Sequence, residues 1–170
     1  MERNLVKIQN LLIDTFTFEE AIEYAQKGQV VTLNPEMIDA ASKNTDLANI
    51  IREAELVIPD GIGVQLGLKI LGHDVKRIAG IEFARKILEK YTLIGKSVAL
   101  VGAKPEVIEK TVQNLKKEIP GINIVYYHDG YFNDDNEILT CLQNSSPDLF
   151  LTALGFPKQE VFNYKGKKLL

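Results

Sequence analysis

One cysteine, Cys141, and two histidines, His73 and His128, are all that 170 residues supply of the usual soft metal ligands. A lone cysteine excludes an intramolecular disulfide and any multi-cysteine zinc site. It falls in an apolar helical pattern and reads as a buried, inert thiol. The two histidines are far apart in sequence, and no His-Glu-x-x-His or other paired-ligand spacing occurs. Long apolar runs are also missing. None approaches the roughly 20 residues that span a bilayer, and no signal-peptide pattern opens the chain, so the expected location is the reducing cytosol. Charge of one sign is scarce as well. With 20 Lys and Arg against 23 Asp and Glu, the net charge of −3 offers no electrostatic case for nucleic acid. The glycine signatures G-x-G-x-x-G and G-x-x-x-x-G-K-[ST] are absent, which counts against a dinucleotide enzyme and a P-loop nucleotidase. No metal-binding Asp-x-Asp stands in a plausible place; Asp134-Asp135 lacks the spacing and reads as a helix cap.

What is present is ordinary for a globular domain: 45% hydrophobic and 25% charged residues. The length is enough for one domain with a real core over residues 1–170. Residues 5–13 alternate loosely, as a strand or a hairpin. Thr17-Phe18-Glu19-Glu20 is a capping box opening a helix to about Lys27. Residues 29–33 form a short β-branched strand. Asn34 caps the next helix, with Pro35 at its first position, and Thr45 or Asp46 caps the one after. The short run 55–58, apolar after Glu55, then reads as a buried strand, and residues 64–71 and 81–91 as helices. The remainder alternates cleanly: strands at 96–103, 122–127 and 148–154, with helices between them and a polar helix closing the chain. Such alternation predicts an α/β fold, doubly wound and Rossmann-like, with a mostly parallel sheet and helices on both faces.

In doubly wound sheets ligands bind at the C-terminal lips of the strands. Four lips here carry unusual residues: Thr32-Leu33-Asn34, Asp60-Gly61, Gly102, and residues 155–160. The centre of the pattern is Ile58-Pro59-Asp60-Gly61-Ile62-Gly63, which sets a carboxylate between a strand and a helix start, beside two glycines that permit close approach of a substrate. Asp60 is open to two readings, a helix N-cap or a functional carboxylate. The turn Val101-Gly102-Ala103-Lys104-Pro105 is either an ordinary βα connection or a phosphate cradle of backbone N–H groups. Arg77 suits a diphosphate, which a guanidinium binds bidentately, or is a solvated surface arginine. Lys158, Gln159 and Glu160 are surface polars or ligand contacts on a backbone held by Gly155-Phe156-Pro157. His128 reads as a loop histidine. Tyr131-Phe132 stacks on a base or simply packs.

Six blocks in order carry a resemblance: Thr32-Leu33-Asn34, Ile58 to Gly63, Arg77-Ile78-Ala79-Gly80, Val101 to Pro105, Gly130-Tyr131-Phe132, and Ala153-Leu154-Gly155-Phe156-Pro157-Lys158-Gln159-Glu160. Together they resemble the TagA/WecG/CpsF family of bacterial glycosyltransferases (glycosyltransferase family 26) over nearly the whole chain. The likeness is nearest to its wall teichoic acid branch. It implies inverting transfer of N-acetylmannosamine from a UDP-sugar donor to N-acetylglucosaminyl-diphospho-undecaprenol, an undecaprenyl-diphosphate-linked acceptor. It also implies Asp60 as general base. Thr32, Asn34, Arg77, Gly102, Gly130, Tyr131, Lys158 and Gln159 would be substrate contacts. No cofactor is expected, and transfer would be metal-independent. The family's basic, aromatic C-terminal tail that meets the membrane is not found before Leu170. The resemblance further implies a cytoplasmic, peripheral position at the inner face of the plasma membrane, with homo-oligomers among the partners. The alternatives are a family transferase with another UDP-sugar, a non-catalytic nucleotide-binding α/β module, and a structural subunit.

Overall fold

The computed structural model describes residues 2–25 and 27–169. The chain divides into two compact units, Met1–Phe83 and Ala84–Leu170.

In the N-terminal unit, β1 (Leu5–Ile8) and β2 (Leu11–Asp14) make the antiparallel hairpin that residues 5–13 allow, with Leu5 opposite Asp14. The Thr17 capping box opens α1 (Phe18–Tyr24) with both reciprocal bonds formed. This helix ends before the expected Lys27; within that stretch Gln26 lies outside the described residues. Next, β3 (Val30–Leu33) pairs in parallel with β4 (Leu56–Pro59), Thr32 opposite Ile58 and Leu33 opposite Pro59. All four β4 residues are buried, as a strand covered on both faces requires. Between the two strands lie α2 (Pro35–Lys43) and α3 (Thr45–Arg52). Asn34 caps α2 as expected. The cap of α3 is Asn44, not Thr45 or Asp46. Asn44 is extended (φ −134°), and a capping side chain must stand outside the helix to reach back to its first amides, whereas Thr45 and Asp46 are already helical. After β4 come α4 (Ile62–Ile70) and the start of α5 (Gly80–Leu93).

The C-terminal unit is a three-stranded parallel sheet ordered β6-β5-β7: β5 (Ser97–Gly102) lies between β6 (Asn123–His128) and β7 (Leu149–Ala153). Alternate β5 residues serve opposite faces. Ala99 and Val101 pack with Ile138, Leu139 and Leu142 of α7 (Asp135–Ser145) and Phe162 of α8 (Lys158–Leu169). Leu100 packs with Ile108 and Val112 of α6 (Pro105–Glu118). This sheet therefore has helices on both faces. The class is α/β, doubly wound and Rossmann-like, and three of the four strand pairings among the described residues are parallel. Cys141 is half-buried rather than buried.

Candidate functional site

The lips of β3 and β4 meet at the backbone. The Asp60 N–H donates to the Leu33 carbonyl at 2.7 Å, and the Ile78 N–H to the Pro59 carbonyl at 2.9 Å. The second bond, with buried Val75 and Ile78 as anchors, fixes the polar, basic stretch of residues 73–80 against the end of β4. Asp60 does not cap α4, its own following helix. That cap position is Gly61 (φ 100°), with no side-chain bond. The carboxylate turns instead to residues far along the chain. Oδ2 accepts from the Gly80 N–H at 3.1 Å, and Oδ1 accepts from Arg77 Nε at 3.3 Å. Gly80 opens α5, so the carboxylate sits at a helix N-terminus, where negative charge is favoured. A Cβ on Gly80 would lie 3.0 Å from both Asp60 Oδ2 and Thr32 Cγ2. Glycine is thus what lets the start of α5 close on the carboxylate and on Thr32. The Asp60 side chain keeps 27% of its surface exposed and Arg77 44%. The site is open, and an ion pair this wet contributes little to stability.

Thr32, Asp60 and Arg77, three of the candidate residues, are therefore brought together, and Gly80 joins them as a partner that the sequence did not single out. Asn34 is close in the chain, but its Oδ1 is engaged as a cap, accepting from the Met37 N–H at 2.9 Å. Its Nδ2 has no hydrogen-bond partner among the described residues. A cavity of about 390 Å³ in the same unit is lined by Asn4, Thr15, His73 and Asp74, among others, and holds none of these candidate residues.

In the C-terminal unit the lips of β5, β6 and β7 are knit by backbone. Gly102 (φ 136°) lies so close to β7 that an added Cβ would meet the Ala153 carbonyl oxygen at 2.4 Å. The Ala103 N–H donates to that carbonyl at 2.9 Å, and the Ala103 carbonyl accepts from the Gly130 N–H at 2.8 Å. Lys158 Nζ donates to the Gly130 carbonyl at 3.2 Å and stands 3.9 Å above the Phe132 ring. Gly102, Gly130 and Lys158 thus share one corner. Tyr131 projects outward, 71% exposed, from a turn in which its N–H donates to Asp129 Oδ1 at 2.7 Å. Gln159 does not reach that corner through any hydrogen bond; its Nε2 donates to Glu160 Oε1 at 2.9 Å. Asp134 caps α7, accepting from the Asn136 N–H.

Two features escape the sequence reading. Glu160, expected among the surface polars, is 3% exposed, and burial pushes its carboxyl pKa up against the opposing bond from Gln159. A cavity of about 160 Å³ opens beside the start of α6, lined by Pro105, Ile108, Glu109, Tyr127, His128 and Asp129. The outward Tyr127 at the end of an edge strand is its one sequence signal. Among the described residues no three His, Cys, Asp or Glu side chains gather in a way that could hold a metal ion.

A family model described as the glycosyl transferase WecG/TagA/CpsF family matches residues 6–170. The chain belongs to this family. It is 37% identical over 141 residues to an N-acetylglucosaminyldiphosphoundecaprenol N-acetyl-beta-D-mannosaminyltransferase of Bacillus spizizenii, covering 82% of this chain and 55% of the relative. The protein of the same name in Bacillus subtilis is 34% identical over 155 residues, 85% of this chain and 60% of the relative. That in Staphylococcus aureus is 31% identical over 133 residues, 77% and 52%. The chain thus spans between half and two thirds of the length of the curated relatives it matches. Among the described residues no helix is long and apolar enough to cross a membrane.

Proposed function

We propose that this chain carries the catalytic carboxylate of an inverting glycosyltransferase. It would move N-acetylmannosamine from its UDP conjugate to N-acetylglucosaminyl-diphospho-undecaprenol at the inner face of the bacterial plasma membrane. The observation that carries the reading is the setting of Asp60. This carboxylate stands at the β3–β4 lip, it is not spent on its own helix, it is partly open to solvent, and the Gly80 N–H and Arg77 orient both of its oxygens. Relatives more than 30% identical that are named for this transfer support it.

The chemistry follows from that placement. The acceptor hydroxyl oxygen attacks the anomeric carbon of the donor from the face opposite the diphosphate. Asp60 takes the hydroxyl proton as the new C–O bond forms. The bond from the anomeric carbon to the diphosphate breaks, its electron pair leaves on the β-phosphate oxygen, and the configuration inverts. The departing charge needs donors. Arg77 offers them, since only its Nε is engaged by Asp60 and the side chain reaches solvent. Thr32, beside Asp60, and the Nδ2 of Asn34 suit sugar hydroxyls. In the C-terminal unit Gly102, Gly130, Tyr131, Lys158 and Gln159 are the substrate contacts proposed. The reaction on this reading needs no metal, because a guanidinium and amide N–H groups meet the leaving-group charge.

The test is product formation from UDP-N-acetylmannosamine and a soluble acceptor analogue, with the anomeric configuration read by NMR, in the presence and absence of EDTA. An inverted product formed equally in both is the expected result. Turnover with a different UDP-sugar only would move the assignment to another donor. Absence of any transfer, with NAD bound more tightly than UDP in calorimetry, would leave a nucleotide-binding module instead.

A further inference from the structure

Helix α4 begins two residues after Asp60 and carries two apolar stripes. Val64 and Leu68 are buried and hold it to the core. The second stripe, Ile62, Leu66 and Ile70, repeats every four residues and is exposed to 71%, 56% and 78%. At 3.6 residues per turn these three and Lys69 fall in one arc of about 100°. Leu71, just past the helix, is 52% exposed. Single exposed apolar residues are normal, but an aligned row of them on one short helix is not. A further exposed residue flanks the same aspartate: Ile81 is 80% exposed and follows Gly80, whose N–H donates to Asp60. Charge points the same way. Lys69 is the one charged residue of α4 (Ile62–Ile70) and it is basic, in a chain whose net charge is −3.

From this we infer that the outer face of α4 is the surface that lies on an anionic phospholipid bilayer, with Ile62, Leu66 and Ile70 entering the headgroup–acyl boundary and Lys69 rising to the phosphates. An apolar arc with a lysine at its edge is the pattern of an interfacial helix, in which the long basic side chain reaches the polar layer while its stem stays among apolar groups. The inference rests on the lipid-linked acceptor proposed above. It deepens that reading, because a diphosphate anchored in the same bilayer would then be offered near Asp60, which precedes Ile62 by two residues.

The measurement is co-flotation of the 170-residue chain with vesicles of phosphatidylglycerol and phosphatidylcholine, and with phosphatidylcholine alone. The wild type is expected to float with the anionic vesicles and more weakly with the neutral ones. The Leu66→Glu/Ile70→Glu variant is expected to lose at least about tenfold in partitioning, with its melting temperature and UDP binding unchanged. Lys69→Glu should weaken anionic binding alone. If the double variant unfolds, Ile70→Ser on the same arc gives the same reading with a smaller loss. Equal flotation of variants and wild type overturns the inference, as does a wild type that binds neither vesicle. So does a wild type that sediments as an oligomer, ignores vesicles and becomes monomeric in the double variant, which would make the stripe a protein–protein face. Flotation needs no turnover, so failure here leaves transfer to a soluble acceptor untouched, and failure of transfer leaves flotation untouched.

Discussion

Among the described residues, the N-terminal unit contains two aspartate–arginine pairs, and they are built differently. Asp14, at the end of β2, is fully buried. Its Oδ1 accepts from Arg3 Nε at 2.7 Å, and its Oδ2 accepts from Arg3 Nη2 and the Val57 N–H, both at 2.8 Å. The pair is a bidentate fork that also ties the hairpin to the middle of β4. Asp60, at the end of β4, is held by one longer guanidinium contact and one backbone N–H, and both its side chain and that of Arg77 reach solvent. Short, bidentate, charge-assisted bonds in a dry setting suit architecture. A looser pair with free donors and lone pairs suits a group that must exchange partners during a reaction. The same residue types thus serve the fold at the middle of β4 and chemistry at its end.

Breaking that contrast at the buried pair has the largest expected effect on stability. Asp14→Ala strands the buried Val57 N–H and the Arg3 guanidinium, and because Arg3 is 26% exposed and can turn to water the cost is about 1–3 kcal/mol, that of an unsatisfied buried group. Denaturant unfolding should show it as a fall in midpoint at unchanged slope. The exposed pair should behave in the opposite way. Arg77→Ala should change stability by no more than about 1 kcal/mol while lowering kcat/KM about a hundredfold, the scale of one lost preorganised donor. Arg77→Lys, which keeps the charge without the planar fork, should fall between Ala and wild type. An Arg77→Ala enzyme with full activity would return Arg77 to the solvated surface.

A smaller effect sharpens the contrast from the C-terminal unit. Burial raises the folded pKa of Glu160 above its ordinary 4.5, opposed by the bond from Gln159. The folded state therefore holds this proton more tightly than the unfolded chain. Its contribution is fully present below the unfolded pKa and is lost as pH rises through the folded one. Glu160→Gln should remove that slope. Melting curves from about pH 4 upward should show the variant gaining on wild type until the folded carboxyl is ionised, then holding a constant margin.

How much of this was legible depended on how local its cause is. The Thr17 capping box and the Asn34-Pro35 start of α2 form as read, because all their partners lie within three residues. The strands of the C-terminal unit were also plain, since Gly102 and Pro105 punctuate them. The partner of Asp60 was not legible: a carboxylate before Gly61 looks like a cap for α4, and only the fold carries the N–H of Gly80 to it from twenty residues on. Asp14 gave no signal, because Arg3 reaches it across a hairpin whose pairing no local pattern dictates. Helix α4 was readable as a helix. Its two apolar rows have the same period, however, so periodicity alone cannot say that Val64 and Leu68 face inward while Leu66 and Ile70 do not. Glu160 fails for a related reason, since a charged residue at a helix start is read as exposed and only the tertiary packing around α8 buries it.

The division of labour between the two aspartates is tested most directly by one variant with two readouts: the transfer rate and the unfolding midpoint of Asp60→Asn. The side chain keeps its shape and an oxygen to accept from Gly80, but it can no longer take a proton. The account predicts a fall in kcat/KM of about two to four powers of ten, with UDP affinity and the unfolding midpoint close to wild type. Wild-type turnover in Asp60→Asn would contradict it, and so would a lost rate that comes with early unfolding, since Asp60 would then belong with Asp14 as a structural carboxylate.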